Sequence, residues 1–163
     1  MCIRDSLKGV PAFYLPALLA SENDIKSFSM TGQRRDLNRE KFKSENLTAV
    51  LNNPESNANK NLKYLRNAMD VRSELKQFHP CSEMKCLSKG RSDIVVIKRS
   101  KGPESVFAIH NMTENKINYQ LDDCDLPELI ENDFNMHDFL TSTKYNWKNI
   151  SLDPFQVIWL SSL

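Results

Sequence analysis

The pair His79-Pro80 separates two stretches of different hydrophobic rhythm, so one packing layer cannot accommodate the whole chain. Upstream, Leu62, Tyr64, Leu65, Ala68, Met69, Val71 and Leu75 fall in one half of a helical wheel. Lys63, Arg66, Asn67, Asp70, Ser73 and Glu74 lie opposite. That spacing predicts an amphipathic helix from residue 59 to about 75. Arg72 interrupts its apolar arc, as a snorkelling side chain or an ion pair would. Downstream, short β-branched and aromatic runs predict strands near 84–87, 93–98, 105–110, 117–121, 136–140 and 155–160. Gly90, Lys101-Gly102-Pro103 and Asn115-Lys116 supply the breaks, and Ile117, Tyr119 and Leu121 alternate as a half-buried strand does. Helix first and antiparallel strands after is an α+β organisation.

Ahead of the helix, Val10 to Leu15 is an apolar and aromatic run bounded by Gly9 and Pro16, the pattern of a buried parallel strand. A polar stretch from Ser21 to about Asn59 follows. Its one expected helix is short, around Leu47 to Leu51, and ends at Asn52-Asn53-Pro54. Loops of such length are more often functional than incidental. Inside it, Gly32-Gln33-Arg34-Arg35-Asp36-Leu37-Asn38-Arg39 clusters arginines beside an aspartate and an asparagine, with no apolar stripe. The guanidinium fork suits carboxylates, phosphates and sugar hydroxyls. The cluster therefore reads as a ligand clamp, as an ion-pair lattice holding a loop, or as a solvated charged segment.

With 40% hydrophobic residues, 26% charged residues and a net charge of +1, composition makes no electrostatic case for nucleic acid, and no apolar run is long enough to cross a bilayer. A cytoplasmic globular origin is expected. Cys2, Cys81, Cys86 and Cys124 form neither a metal-site nor a disulfide pattern, so reduced thiols are expected. The acidic segment Asp122-Asp123-Cys124-Asp125, with Glu128, Glu131 and Asp133, lacks the ligand spacing and central glycine of a calcium loop and reads as a solvated connector. Asn46, Asn111 and Asn149 head glycosylation triplets taken as chance matches. His79, His110 and His137 are mutually isolated. Trp147 and Trp159 read as a sugar-stacking platform or, for Trp159, as core. No metal or cofactor is expected.

Gly9-Val10-Pro11-Ala12-Phe13-Tyr14-Leu15-Pro16, Asn23-Asp24, the Arg35-Asp36-Leu37-Asn38-Arg39 motif, Phe78-His79-Pro80 and the closing Asp153-Pro154-Phe155-Gln156-Val157-Ile158-Trp159-Leu160 stand at familiar spacings. Together they resemble the end of sucrose-phosphorylase-like enzymes of glycoside hydrolase family 13, the α-amylase superfamily. Sucrose phosphorylases and glucosylglycerate phosphorylases both stand within that resemblance. It implies that Val10 to Leu15 is the eighth strand of a (β/α)8 barrel and that the helix near 59–75 is the last barrel helix. Residues 7–80 would then close the barrel, and residues 81–163 would form a small antiparallel β-sheet or sandwich domain. Such a barrel takes about 250 residues. This chain has 163, so the resemblance implies a C-terminal fragment. Met1-Cys2-Ile3-Arg4-Asp5-Ser6 has no counterpart in the family and looks like a translated adapter sequence, so residues 1–6 are set aside as a non-native leader.

Retaining enzymes of this kind use two carboxyl groups about 5 Å apart. In the family these and a third carboxylate come from earlier barrel strands, so no catalytic residue is assigned here and the fragment alone is expected to be inactive. Arg35 carries over as a substrate-binding residue, at the arginine that borders the subsite for the transferred glucosyl unit. In relatives it works with an aspartate from an early barrel loop. Arg34 replaces the glycine or alanine common before that arginine. Asp36, Asn38 and Arg39 are expected to lock the loop by hydrogen bonds and ion pairs. Asn23-Asp24 is expected to cap or staple the turn before it, and Tyr14 to face either pocket or core.

The implied reaction of the whole enzyme cleaves an α-glucoside through a covalent glucosyl intermediate and passes the sugar to inorganic phosphate with retained configuration. Its partners are thus small molecules, with no nucleic acid and no membrane. A hydrolase or transglucosidase of the same superfamily, and a non-catalytic carbohydrate-binding β-module, are the alternatives. A barrel strand and helix without their neighbours leave apolar surface uncovered. The isolated chain is therefore expected to be poorly soluble; a purified monomeric, cooperatively melting species contradicts this.

Overall fold

A computed structural model describes residues 3–38, 41–122, 126 and 135–161. The chain divides into two compact units, one of Met1–Pro11 with Asp70–Leu163 and one of Ala12–Met69. The sequence reading placed its division after residue 80. The boundary between the two compact units falls within a long helix, α5 (Asn57–Glu74). That helix begins two residues before its expected start, and its predicted polar residues Lys63, Arg66, Asn67, Asp70, Ser73 and Glu74 are exposed. Leu65 and Ala68 are buried, whereas Tyr64, assigned to the apolar arc, is exposed.

The α unit also holds α1 (Leu15–Leu18), α2 (Ile25–Thr31), α3 (Arg34–Leu37) and α4 (Ser44–Asn52). Val10 to Leu15 is not a strand. Val10 is 82% exposed and the segment runs directly into α1. A parallel strand needs parallel neighbours to complete its ladder, and every described strand pairing is antiparallel. The polar stretch after Ser21, expected to hold a single short helix, instead carries α2, α3 and α4. Asn61 Nδ2 donates to the carbonyls of Ala17 and Leu18 at 2.8 and 2.9 Å, which satisfies the C-terminal end of α1. Ser56 Oγ and Asn59 Nδ2 donate to Val50 and Leu51 carbonyls at 2.6 Å each and do the same for α4.

The other unit is built on a six-stranded sheet in the order β1-β2-β3-β8-β5-β6, with β4 and β7 forming a separate pair. The strands are β1 (Glu83–Cys86), β2 (Ile94–Lys101), β3 (Glu104–Asn111), β4 (Ile117–Tyr119), β5 (Asn135–Asp138), β6 (Lys144–Asn146), β7 (Ile150–Leu152) and β8 (Val157–Ser161). Every described pairing is antiparallel. Six strands match predicted segments; β6 and β7 do not. The β2–β3 hairpin turns at Gly102-Pro103, where Gly102 takes φ +60° at the first loop position that favours glycine.

Register fixes what each face of the sheet carries. Val96 pairs with Ile109 and Ile109 with Ile158, while Phe107 pairs with Leu160. These side chains share one face, because side chains alternate along a strand. They pack with Met136, Leu121, Trp147 and with Ile150 and Leu152 of β7 in one apolar core. The opposite face carries Ile97, Arg99, Val106, Ala108, His110, Val157 and Trp159, all buried. It is covered by Phe78 from the 3₁₀ turn Lys76–Phe78 and by residues 3–9.

That second cover is polar. The Phe78 and Trp159 rings lie 4.5 Å apart, and the guanidinium carbons of Arg72 and Arg99 sit 5.2 and 5.7 Å from the Phe78 centroid. Arg72 does not snorkel to water: it is buried, donates to the carbonyls of Asp5 and Gly9, and lies within reach of the Asp5 charge, in keeping with the ion-pair alternative. Arg99 donates to the carbonyls of Glu83, Ser6 and His79. Burial lowers the pKa of both arginines. Trp159 Nε1 donates to Ser6 Oγ at 3.1 Å, and that hydroxyl is also paired with His110 Nε2 at 3.0 Å. Asp5 and Ser6, set aside in the sequence reading, are thus buried in this unit.

Two further side chains organise the edges. Asp138 is buried, and its carboxyl oxygens accept from Trp159 N at 2.7 Å, Leu140 N at 3.2 Å and Thr141 Oγ1 at 2.6 Å. Asn111 joins two loops, donating to the carbonyls of Asn115 and Asp153 and accepting from Thr113. Its burial also removes it as a glycosylation acceptor.

Burial pushes the His110 pKa down to about 4. A free histidine titrates near 6.5, so the unfolded chain binds more protons than the folded one between those values. Stability is fully present above about pH 6.5 and falls as the pH drops towards 4, by about 3 kcal/mol. Urea unfolding followed by tryptophan emission should show this slope, and His110→Gln should flatten it. An unchanged slope in the variant contradicts the assignment.

Candidate functional site

The arginine-rich segment is shaped by short-range hydrogen bonds in the α unit. Asp24 starts α2: its Oδ1 accepts from Ser27 N at 2.8 Å and its Oδ2 from Ser27 Oγ at 2.5 Å. It therefore caps the helix that follows it, not the turn before. These hydrogen bonds hold its carboxyl below the usual carboxylate range. Gly32 ends α2 at φ +65°, with its N–H donating to Phe28 O at 2.8 Å. A left-handed residue there is what glycine supplies without strain, and it turns the chain towards α3.

Asp36 sits in the one-turn helix α3 and accepts a 2.6 Å hydrogen bond from Thr31 Oγ1 at the end of α2. Thr31 Oγ1 also accepts from Gln33 N at 3.2 Å. Asp24 N donates to Leu37 O at 2.8 Å, returning the end of α3 to the start of α2. Tyr14 OH donates to Asn38 O at 3.3 Å. Asp36 thus ties the loop through its carboxylate. Asn38 does so through its main-chain carbonyl, a contact its side chain did not announce. Arg39 lies outside the described residues.

Arg34 and Arg35 are exposed and make no side-chain hydrogen bond or ion pair among the described residues. The described contacts thus fix the loop, and none of them engages the Arg35 fork. Two hollows lie in the same unit. One of about 280 Å³ is lined by Tyr14, Ser21, Glu22, Asn23 and Asn38, among others. The other, about 430 Å³, sets Glu22, Lys41, Lys43 and Asn46 above an apolar floor that includes Leu19 and Leu47. Tyr14 faces the smaller hollow, and Arg35 lines neither.

Other candidates disperse. Trp147 and Trp159 are both buried, so neither offers a stacking face for sugar. His110 is buried, whereas His79 is exposed and His137 half-buried. Cys81 and Cys86 are exposed free thiols; Cys2 and Cys124 lie outside the described residues. So does most of the acidic connector, and among the described residues no three histidines, cysteines or carboxylates gather as metal ligands would. No described helix is long and apolar enough to cross a membrane.

No family model matches the chain. It is 33% identical over 109 residues to a glucosylglycerate phosphorylase of Allomeiothermus silvanus, covering 67% of this chain and 19% of that protein. It is 25% identical over 158 residues to the glucosylglycerate phosphorylase of Escherichia coli K12, covering 95% of this chain and 26% of that one. The chain thus spans well under a third of either relative. Among solved structures, the trehalulose synthase MutB from Pseudomonas mesoacidophila MX-45 matches over 70% of the chain and 19% of its own length, with a TM-score of 0.54 and 13% identity. The trehalose-6-phosphate hydrolase of Bacillus licheniformis matches over 70% and 20%, with a TM-score of 0.52 and 16% identity. The latter two similarities concern the fold.

The Asp24 cap is a checkable element of this site. Asp24→Ala should speed amide hydrogen exchange at Ser27 and Phe28, and Gly32→Ala should loosen the α2–α3 turn by forcing a side chain into a left-handed position. Unchanged exchange in both variants contradicts the capping scheme.

Proposed function

We propose, from the premise that the chain is homologous to glucosylglycerate phosphorylases over most of its length, that it is the C-terminal part of a retaining sugar phosphorylase of glycoside hydrolase family 13. The observation that carries this reading is the similarity to two phosphorylases from distant organisms, one covering 95% of the chain. The longer protein takes an α-glucoside, glucosylglycerate or sucrose, and inorganic phosphate, and releases glucose 1-phosphate. The catalytic carboxylates lie outside this chain, which is inactive alone. The residues before Pro80 close the barrel, and those after it form the β domain.

In that protein Arg35 forms one wall of the glucose subsite. Support comes from the local geometry: Thr31, Asp36 and the Asp24–Leu37 main-chain bond hold the turn, while the Arg35 fork makes no side-chain hydrogen bond among the described residues. A planar donor held this way orients a sugar hydroxyl or a partner carboxylate without transferring a proton. Asp36 and Asn38 act by fixing the loop, and Arg39 is assigned the same role from its place in the motif.

Assay of the full-length protein with glucosylglycerate or sucrose should show glucose 1-phosphate release that requires phosphate. Release of free glucose regardless of phosphate would favour the hydrolase. Arg35→Ala should lower glucosyl transfer by about a hundredfold or more, with Asp36→Asn milder. Unchanged transfer in Arg35→Ala removes the clamp role.

A further inference from the structure

Strand β1 ends the six-stranded sheet, so only one of its sides meets a neighbouring strand. Just past its end Leu87 N donates to Val96 O at 2.8 Å, which sets the phase of the β1–β2 ladder. Residue pairs in an antiparallel ladder alternate between hydrogen-bonded and non-bonded. Glu83 and Lys85 therefore turn their main-chain groups towards Ser100 and Lys98, while the N–H and C=O of Met84 and Cys86 point out of the sheet. All of β1 is exposed, Met84 to 43%. An open row of this kind is a template for another strand, and a lysine in the row is the usual guard against it. In β1 that guard, Lys85, has a carboxylate on the same face two residues away, Glu83. The sheet's other edge, β6, reads Lys144-Tyr145-Asn146 and carries no acid to answer its lysine.

We infer that β1 is a self-pairing edge: it adds antiparallel to β1 of a second copy of this chain, joining the two sheets across a two-fold axis at Met84. A symmetric pairing sets outward main-chain groups against outward ones only when its axis passes through a residue, which leaves Glu83, Met84, Lys85 or Cys86. An axis on Glu83 or Lys85 puts like charges directly opposite each other, and one on Cys86 sets Lys85 against Leu87. An axis on Met84 places Glu83 of each copy opposite Lys85 of the other, and each Met84 N–H donates to the other's carbonyl. Charge thus selects one register. Because β1 is short, the association is weak and depends on concentration.

The test is oxidative cross-linking of the whole chain with Cys2, Cys81, Cys86 and Cys124 replaced by serine. In the inferred register the two copies of residue 84 have Cα atoms about 5.5 Å apart, within disulfide reach. Met84→Cys in this background should therefore link into a covalent dimer. Lys85→Cys, and a chain keeping Cys86 alone, should link about tenfold or more slowly, because offset positions lie about 7 Å apart or farther. Equal or faster linking at either control site overturns the register, and no linking at position 84 overturns the pairing. Sedimentation of the chain with its native cysteines, under reductant, supplies the second readout. Lys85→Glu should weaken the dimer about tenfold, and adding Glu83→Lys should restore it, since both cross-strand pairs are first made repulsive and then rebuilt. Failure of the second change to restore dimerisation counts against the charge match. Met84→Pro removes a donor that β2 does not use, so it should abolish the dimer with the unfolding midpoint little changed. A dimer that persists in Met84→Pro, or a parent chain that stays monomeric at every concentration reached, overturns the edge pairing.

Discussion

Three strands, β2, β3 and β8, are buried on both faces, and the rest of the β unit follows from that constraint. A two-faced strand requires two covers, because alternation sends every second side chain to the opposite side. One cover is conventional: β7, Leu121 and Trp147 close an apolar layer over Ile94, Val96, Phe107 and Ile109. The other is made of charge and hydroxyl, with two guanidiniums against Phe78 and a serine between histidine and tryptophan nitrogens. Such a layer is stable only if nearly every donor finds an acceptor, and here main-chain carbonyls supply most of them. His110 is costly on acidification because burial disfavours its charged form.

The α unit reaches its order by a different route. Its helices are short, several of its apolar side chains are exposed, and Ile25 and Met30 stand 67% and 74% exposed on α2. What fixes the arginine-rich turn is a set of local hydrogen bonds at helix ends: an aspartate cap, a left-handed glycine and a threonine–aspartate bond. A turn held locally can keep its shape while its guanidinium makes no side-chain bond among the described residues. This division of labour, with Asp36 holding and Arg35 presenting, is the physical content of the glucose-wall reading.

Legibility in the sequence tracked the range of the interaction. The α5 helix spans 18 residues with a sustained period, and its polar positions are legible from that period, with Tyr64 the misread exposed residue. The strands with apolar alternation were readable too, whereas β6 and β7 run for three residues each and offer too little period to detect. Local caps sit at fixed offsets, yet Asp24 was read backwards, since an Asx residue between two turns marks either direction until Ser27 N is seen to approach it. Arg99 adjoins Lys98 and looks like part of a basic surface strand. Only the sheet register turns it inward. Ser6 and His110 are 104 positions apart, a separation at which no pattern within one sequence pairs a serine with a histidine. The expected strand at Val10 to Leu15 failed for a related reason: a parallel strand is a property of its neighbours, and apolar composition alone does not create one.

Asp138 adds a consequence for how the sheet finds its alignment. Its carboxyl takes the amide of Trp159 at the place where β5 would otherwise offer a carbonyl, and it also ties Leu140 and Thr141 in the turn beyond. A slip of one residue between β5 and β8 would carry this acid to the opposite side of the pleat and strand the Trp159 amide, while Leu140 and Thr141 would move with it. The aspartate therefore behaves as a keyed stop: it admits one alignment of the two strands and penalises the next, so the closing strand is positioned as much by a single side chain as by the ladder it joins.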